Sequence, residues 1–344
     1  MRLTLWDFIK NQFKKQPPVA KADLTGKTVV VLGANTGLGF EAAKHFATMN
    51  PGRLILACRS PNKGQAAIEK LKAATGYAKA ELWIIDLADF DSVKHFTDKF
   101  EKDGGRLDIL VENAAIAPSD KYEPTKDGWE TALQVNCLST TLLALLLLPR
   151  MVKTAQKYST LPRIVVVSSE VHYWTDIEKK VCENPGILAT LGSSEYCTKK
   201  VMQSRYLLTK LLNVLFVRAL NARLSPSTPL IVDAVNPGYC YSELRRSFSG
   251  ILAVFDYLME KMLAFTTEEG GRQLVWAAVG EQANPERLRG EYISCSEVME
   301  VSDFALSPQG VKAQDHIWDE MLDILGKVDP RVTAAVETNL SSFA

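Results

Sequence analysis

Residues 28–39, Thr28-Val29-Val30-Val31-Leu32-Gly33-Ala34-Asn35-Thr36-Gly37-Leu38-Gly39, decide the fold. The first five form an apolar run without polar alternation, the pattern of a strand buried on both faces. A glycine-rich turn follows, then a stretch with helical spacing from Gly39 to Met49. Glycine lets the chain turn tightly and lets a phosphate approach main-chain N–H groups at a helix start. The spacing is G-x-x-x-G-x-G rather than G-x-G-x-x-G, and Phe40-Glu41 stands where a P-loop needs Lys followed by Ser or Thr. Strand, glycine loop and helix in this order read as a dinucleotide-binding loop.

Working outward, strand-like runs recur at Arg53–Ala57, Glu81–Ile85, Leu107–Val111, Arg163–Val167, Leu230–Val235 and Glu291–Ser294. Helical patterns separate them at Gly64–Ala73, Ser92–Phe100, Gly128–Met151, Tyr206–Arg223 and Glu268–Ala278. Such alternation requires right-handed crossovers. It predicts an α/β fold, a single doubly wound (Rossmann) parallel sheet with helices on both faces. The expected division is an N-terminal amphipathic appendage over 1–23, one domain over 24–330 and a C-terminal tail over 331–344. No catalytic motif lies in the appendage, so residues 1–15 are expected to be dispensable for turnover.

The chain has 344 residues, 47% of them apolar, with 40 basic and 40 acidic residues. No basic field exists to drive nucleic-acid binding. Six cysteines are scattered without CxxC spacing, so reduced thiols and a cytoplasmic setting are expected. With four histidines and no His/Cys cluster, no metal site is expected. The most apolar run, within Thr141–Pro149, is far short of the ~20 residues needed to span a bilayer and reads as a core helix.

The second strand ends in Cys58-Arg59 with no acid to hold a ribose 2′-hydroxyl. Arg59 offers a guanidinium to a 2′-phosphate instead, with Lys63 nearby, which favours NADP(H). Asp86 stands where a carboxylate can accept from an adenine amino group. As a plainer alternative it caps a helix.

These motifs, with others further along, resemble the short-chain dehydrogenase/reductase family over about Leu24 to Ser296. Gly33–Gly39, including Asn35, Thr36 and Leu38, matches the family's cofactor loop, with Leu32 in place of the usual threonine. Glu112-Asn113-Ala114-Ala115 matches its Asn-Asn-Ala-Gly with two departures, Glu112 and Ala115. Leu133-Gln134-Val135-Asn136 puts the catalytic asparagine at Asn136, and Val167-Ser168-Ser169 puts the catalytic serine at Ser169. Asn236-Pro237-Gly238 resembles the strand-6 motif. The resemblance implies cofactor contacts at Leu87, Asn113, Ala114, Pro237, Gly238, Cys240 and Ser242, the last of them at the nicotinamide amide. Tyr206 and Lys210 match the Tyr-x-x-x-Lys signature. Among members, Tyr206–Phe216 resembles retinol-dehydrogenase-like enzymes and, more, fungal enzymes that modify secondary metabolites.

Tyr-x-x-x-Lys makes physical sense on a helix, where i and i+4 share a face. Free tyrosine, with a pKa of about 10, is a poor base. A neighbouring ammonium and a positive nicotinamide favour the phenolate. Tyr206 can then exchange a proton with a substrate oxygen that Ser169 also holds. The resemblance further implies that Lys210 binds the nicotinamide ribose and that Asn136 holds a water linking Lys210 to solvent. Tyr196…Lys200 has the same spacing. Only Tyr206 leads into a long apolar helical run, Leu207–Leu220, so the reading assigns catalysis to Tyr206.

Between Ser169 and Tyr206 lie 36 residues, read as an insertion over 170–205 in which Tyr173, Trp174 and Ile187 wall a substrate pocket. A substrate cap is expected over 239–265, from Tyr239, Tyr241, Leu244, Phe248, Ile251, Leu252, Phe255, Tyr257 and Leu258. Its content suits a bulky apolar carbonyl or alcohol. Leu5, Trp6, Phe8, Ile9 and Phe13 share one face of an N-terminal helix, with Asp7, Lys10 and Lys14 opposite. That face docks on the protein itself, on a second copy as a homodimer, or on a membrane surface. Two other readings remain, a non-catalytic NADP(H) sensor or scaffold and a membrane-surface retinoid or lipid dehydrogenase. An intact Asn136, Ser169, Tyr206 and Lys210 argues against the sensor, which needs only the cofactor loop.

Overall fold

The computed structural model describes residues 3–103, 105–117, 120–242 and 259–340. Its centre is an eight-stranded sheet. The strands are β1 Thr28–Leu32, β2 Arg53–Cys58, β3 Ala80–Ile84, β4 Ile109–Glu112, β5 Arg163–Val167, β6 Ile231–Asn236, β7 Tyr292–Ser294 and β8 Glu297–Met299. Their spatial order is β3-β2-β1-β4-β5-β6-β7-β8. All pairs are parallel except β7–β8. The order reverses between β1 and β4, which opens a crevice beyond the carboxyl ends of the strands. The short antiparallel β8 was not foreseen. Its sequence, Glu297-Val298-Met299, is too brief for periodicity to register.

The main helices are α1 Leu5–Gln12, α2 Gly37–Thr48, α3 Pro61–Thr75, α4 Phe90–Lys102, α5 Thr131–Tyr158, α6 Arg205–Arg223, α7 Thr267–Val279, α8 Pro308–Val328 and α9 Arg331–Asn339. Alternation along β1 explains the two-sided core. Val30 and Leu32 pack with residues of α4, α5 and α6, while Val29 and Val31 pack with α2 and α7. Helix α5 is long and apolar enough to cross a membrane, yet 94% of its apolar window is buried in the fold. It is a core helix, as a helix apolar on all sides must be in a large α/β domain.

The two flanks and the insertion each pack into the domain. Of the placements expected for the N-terminal helix, docking on the protein itself is the one found, with Phe8 and Gln12 of α1 buried against the domain. The tail expected from 331 is helical through Asn339, with Val332 buried in the core. The insertion over 170–205 carries short helices at Lys179–Cys182, Ile187–Leu191 and Lys199–Gln203. Its Val181, Ile187, Leu188 and Leu191 join the main core, so Ile187 is core rather than pocket wall. The Glu320 carboxylate of α8 accepts from the N–H groups of Leu188 and Ala189 at 2.8 and 2.9 Å, which anchors the second of these helices. Of the expected cap, Leu244, Phe248, Ile251, Leu252, Phe255, Tyr257 and Leu258 lie outside the described residues.

Candidate active site

The glycine loop leaves β1 against the end of β4. A Cβ on Gly33 would meet Ala114 Cα at 3.0 Å and Asn113 Nδ2 at 3.1 Å. One on Gly39 would lie 2.5 Å from Asn113 Nδ2 and 2.7 Å from Gly33 O. Only glycine permits that approach. Asn113 Nδ2 donates to Leu32 O at 2.9 Å, and so ties the loop to β4. Gly37 shares a positive φ with Gly33 (+60° and +68°) but differs from both others in that a Cβ there would meet nothing within 4 Å. It marks the open side of the loop. Thr36 at the N-cap of α2 makes no side-chain cap bond to the first-turn N–H groups. Open space in front of a helix start fits a pyrophosphate. Asn35 and Leu38 are half-buried in the same turn.

Arg59 follows β2 directly and is exposed, as is Lys63 in the first turn of α3. Neither forms an ion pair among the described residues. Asp86 does not cap α4; Asp89 does, accepting from Asp91 N and Ser92 N. Asp86 accepts from Ala88 N at 3.0 Å, a local Asx turn just beyond β3. The Leu87 side chain is core, and its carbonyl accepts from Ser139 Oγ at 2.6 Å. Past β6, Gly238 has φ +82°, and a Cβ there would strike the Phe265 ring at 2.8 Å. Cys240 Sγ donates to Pro237 O at 3.2 Å and Ser242 is half-buried, so these residues form one turn after β6.

Tyr206 lies in the first turn of α6, half-buried, and Lys210 one turn on is fully buried. Lys210 Nζ sits 5.4 Å from the Tyr206 ring centroid and donates to Val167 O, at the end of β5, at 2.6 Å. Burial lowers the lysine pKa to about 8. Ser168 Oγ donates to Lys210 O at 2.9 Å, locking α6 to the end of β5. Ser169, the next residue, caps the 3₁₀ turn Glu170–Trp174. Asn136 lies in a π-helical stretch, Gln134–Leu138, inside α5. Its Oδ1 accepts from Ile116 N at 2.9 Å, and its Nδ2 donates to Ile116 O at 2.9 Å and Thr209 Oγ1 at 3.1 Å. Both amide hydrogens are used, so any water held by this side chain has only acceptor lone pairs to bind. What the amide does here is fasten the chain after β4 to α5 and α6.

Several groups around this cluster were not singled out in the sequence. Arg205, beside Tyr206, is wholly buried in an ion pair with Glu130 at 3.4 Å. Glu130 also accepts from Ala132 N and Leu133 N, at 2.8 and 2.9 Å, where α5 begins. The pair pins together the starts of the helices that carry Asn136 and Tyr206. An arginine at the head of an apolar helical run was the available signal. His172 is buried, and burial lowers its pKa to about 4. The ring is therefore neutral, and its Nδ1 lies 2.8 Å from Ser169 O, placed to donate to that carbonyl. Burial raises the neighbouring Glu170 to about 8.

A profile of the short chain dehydrogenases matches residues 27–173. A short chain dehydrogenase/reductase of Cryptosporiopsis sp., dmxR8, is 36% identical over 331 residues, covering 95% of this chain and 99% of the relative. The chain belongs to the short-chain dehydrogenase/reductase family. The short-chain dehydrogenase anuD of Penicillium roqueforti is 34% identical over 333 residues, covering 94% of this chain and 84% of that protein. Among solved folds, a short chain dehydrogenase from Escherichia coli CFT073 complexed with NADPH superposes with a TM-score of 0.58 at 20% identity. That match covers 81% of this chain and all of the other. The fold and the family agree, and the protein is a short-chain dehydrogenase/reductase oxidoreductase.

Proposed function

We propose that this short-chain dehydrogenase/reductase uses NADP(H) and interconverts a bulky apolar ketone or aldehyde with its alcohol. The observation that carries the reading is the buried Lys210 ammonium, held by Val167 O at 2.6 Å and set 5.4 Å from the Tyr206 ring centroid. A nicotinamide cofactor, when bound, would supply or accept the hydride at the substrate carbon. In reduction Tyr206 delivers its hydroxyl proton to the carbonyl oxygen, and in oxidation its phenolate removes the alcohol proton. Ser169 donates a hydrogen bond to the same oxygen, with its own carbonyl steadied by His172. Lys210 stabilises the phenolate and would hold the nicotinamide ribose. Asn136 fixes Ile116 and Thr209 around that lysine.

The NADP(H) preference rests on Arg59, exposed beyond β2 with no acid beside it. The solved relative complexed with NADPH is consistent with this choice. A charge-assisted pair to the 2′-phosphate is worth about 1.5–3 kcal/mol, roughly ten- to hundred-fold in affinity. Purified protein should therefore bind NADPH at least ten-fold tighter than NADH and consume it with members of a ketone and aldehyde panel. Arg59→Ala should abolish the preference. Equal NADPH and NADH affinities in the unaltered protein would reject the assignment.

A membrane-surface form of the same activity is favoured by α1. Leu5, Trp6 and Phe13 are 65%, 72% and 72% exposed, with the exposed Lys10 and Lys14 bordering them. An apolar arc edged by lysines suits an anionic bilayer surface. Flotation with anionic vesicles tests this, with Trp6→Ser/Phe13→Ser expected to stay at the bottom of the gradient. No flotation of the unaltered protein would dismiss it.

A further inference from the structure

Helix α1 is remote in sequence from every catalytic candidate, yet one of its side chains reaches the substrate side of the site. Gln12 is buried. With its amide nitrogen turned toward the nearby carbonyls, it donates to Tyr239 O and Leu263 O, each at 3.3 Å, and accepts from Tyr239 N at 3.2 Å. One side chain thereby pairs with both the N–H and the C=O of Tyr239, as a residue of a neighbouring strand would. The amide oxygen in this orientation also lies 3.4 Å from Glu170 Oε1. Burial keeps Glu170 protonated at neutral pH, so its hydroxyl can donate to that oxygen. Three segments meet at this amide: Glu170 directly after Ser169, Tyr239 directly after Gly238, and Leu263 four residues before α7.

The rest of the N-terminal stretch is built in around it. The Phe8 ring meets Trp174 and Tyr239 edge-on at 5.7 and 6.0 Å. Trp174 Nε1 donates to Leu3 O at 2.7 Å. Gln273 Nε2 of α7 donates to Gln16 Oε1 at 2.8 Å, and Arg272 Nη1 donates to Pro17 O at 3.2 Å. These contacts run along the full length of the stretch, so α1 is seated at both ends.

We propose that Gln12 is a positioning residue, and that α1 is a wall of the substrate enclosure which sets the spacing between Ser169 and the turn after β6. This rests on the proposed carbonyl chemistry for its substrate arm only. A wall at that place constrains large substrates more than small ones.

The test uses the full-length Gln12→Met variant, which keeps volume and removes the hydrogen bonds, with Lys10→Ala as a surface control. Amide exchange in cofactor-free protein is read at Tyr239 and over Glu170–His172. Catalysis is read as kcat/KM on a small and a bulky carbonyl, and cofactor binding as NADPH Kd. Loss of two or three neutral hydrogen bonds should speed Tyr239 exchange about ten-fold or more. It should lower kcat/KM for the bulky carbonyl about ten- to hundred-fold, with a change of under about three-fold for the small one. Because Gly238 and Cys240 belong to the same turn, NADPH Kd should rise by no more than the roughly three-fold allowed for the small carbonyl. Unchanged exchange at Tyr239 overturns the proposal. So does an equal fall for both carbonyls together with weaker NADPH binding, which is the signature of general loosening. If no carbonyl turns over even in the unaltered protein, the substrate reading fails, while the exchange result still decides whether Gln12 positions Tyr239.

Discussion

Tyr196…Lys200 and Tyr206…Lys210 have the same spacing, and their surroundings separate them. Tyr196 lies in a turn, and Lys200 sits exposed on the five-residue helix Lys199–Gln203. The two are not on one continuous helix, so the i, i+4 geometry that would join them is missing. Burial against the core also raises the Tyr196 pKa, the wrong direction for a base at neutral pH. Tyr206 and Lys210 share the first two turns of a 19-residue helix whose lysine is clamped to the end of β5. A four-residue spacing becomes a chemical pair only when a rigid helix carries both members and a scaffold fixes that helix.

The sharpest way to break this comparison is paired substitution at the tyrosines. Tyr206→Phe keeps the ring and removes the acid–base hydroxyl. It should lower turnover on any accepted carbonyl by about 10²–10⁴-fold with little change in NADPH affinity. Tyr196→Phe should leave both within about two-fold. An inactive Tyr196→Phe beside an active Tyr206→Phe would transfer the catalytic role to the insertion.

A smaller, opposite-signed effect separates the lysines. Burial takes Lys210 from an ordinary 10.5 to about 8. Between these values the unfolded chain binds the proton and the folded one does not, so stability rises with pH across that window. Below about 8 the full penalty applies, on the order of 3 kcal/mol, less about 1 kcal/mol for the Val167 hydrogen bond. Cofactor-free Lys210→Met should therefore lose turnover and yet gain about 2 kcal/mol at pH 7, with the gain shrinking as pH rises toward 10.5. Urea melts at a series of pH values measure it. A Lys210→Met variant destabilised at pH 7, or a gain that does not vary with pH, would contradict the account. Lys200→Met, at an exposed position, should change neither quantity.

The substrate side contrasts with the cofactor side in how much of it could be read in advance. The glycine loop, Asn113, Arg59, Ser169 and the Tyr206–Lys210 pair each stand within a few residues of a strand end or helix start. Local pattern marks the glycine loop and Arg59, and the family resemblance marks Asn113, Ser169 and the Tyr206–Lys210 pair; a doubly wound sheet delivers such strand ends to one crevice. Ile187 was misplaced because an apolar residue in a long connection looks the same whether it lines a pocket or enters the core. Its burial against the main core is a long-range packing outcome. At Asp86 local pattern fits both a cofactor contact and a helix cap; the cap is Asp89, three residues on, because α4 begins at Phe90.

By itself the sequence determined the parallel sheet, the order of its motifs and the chemistry on offer. Continuous apolar runs, glycines before a helix and an i, i+4 tyrosine–lysine pair act within one or two turns of chain. Only the tertiary structure decided that Gln12 meets Tyr239 and Glu170, that Arg205 pairs with Glu130, and that α1 and α9 pack against the domain. Those contacts join residues tens to hundreds of positions apart. Their partners are buried polar groups that find one another only once the core has closed, when leaving any of them unpaired would cost about 1–3 kcal/mol.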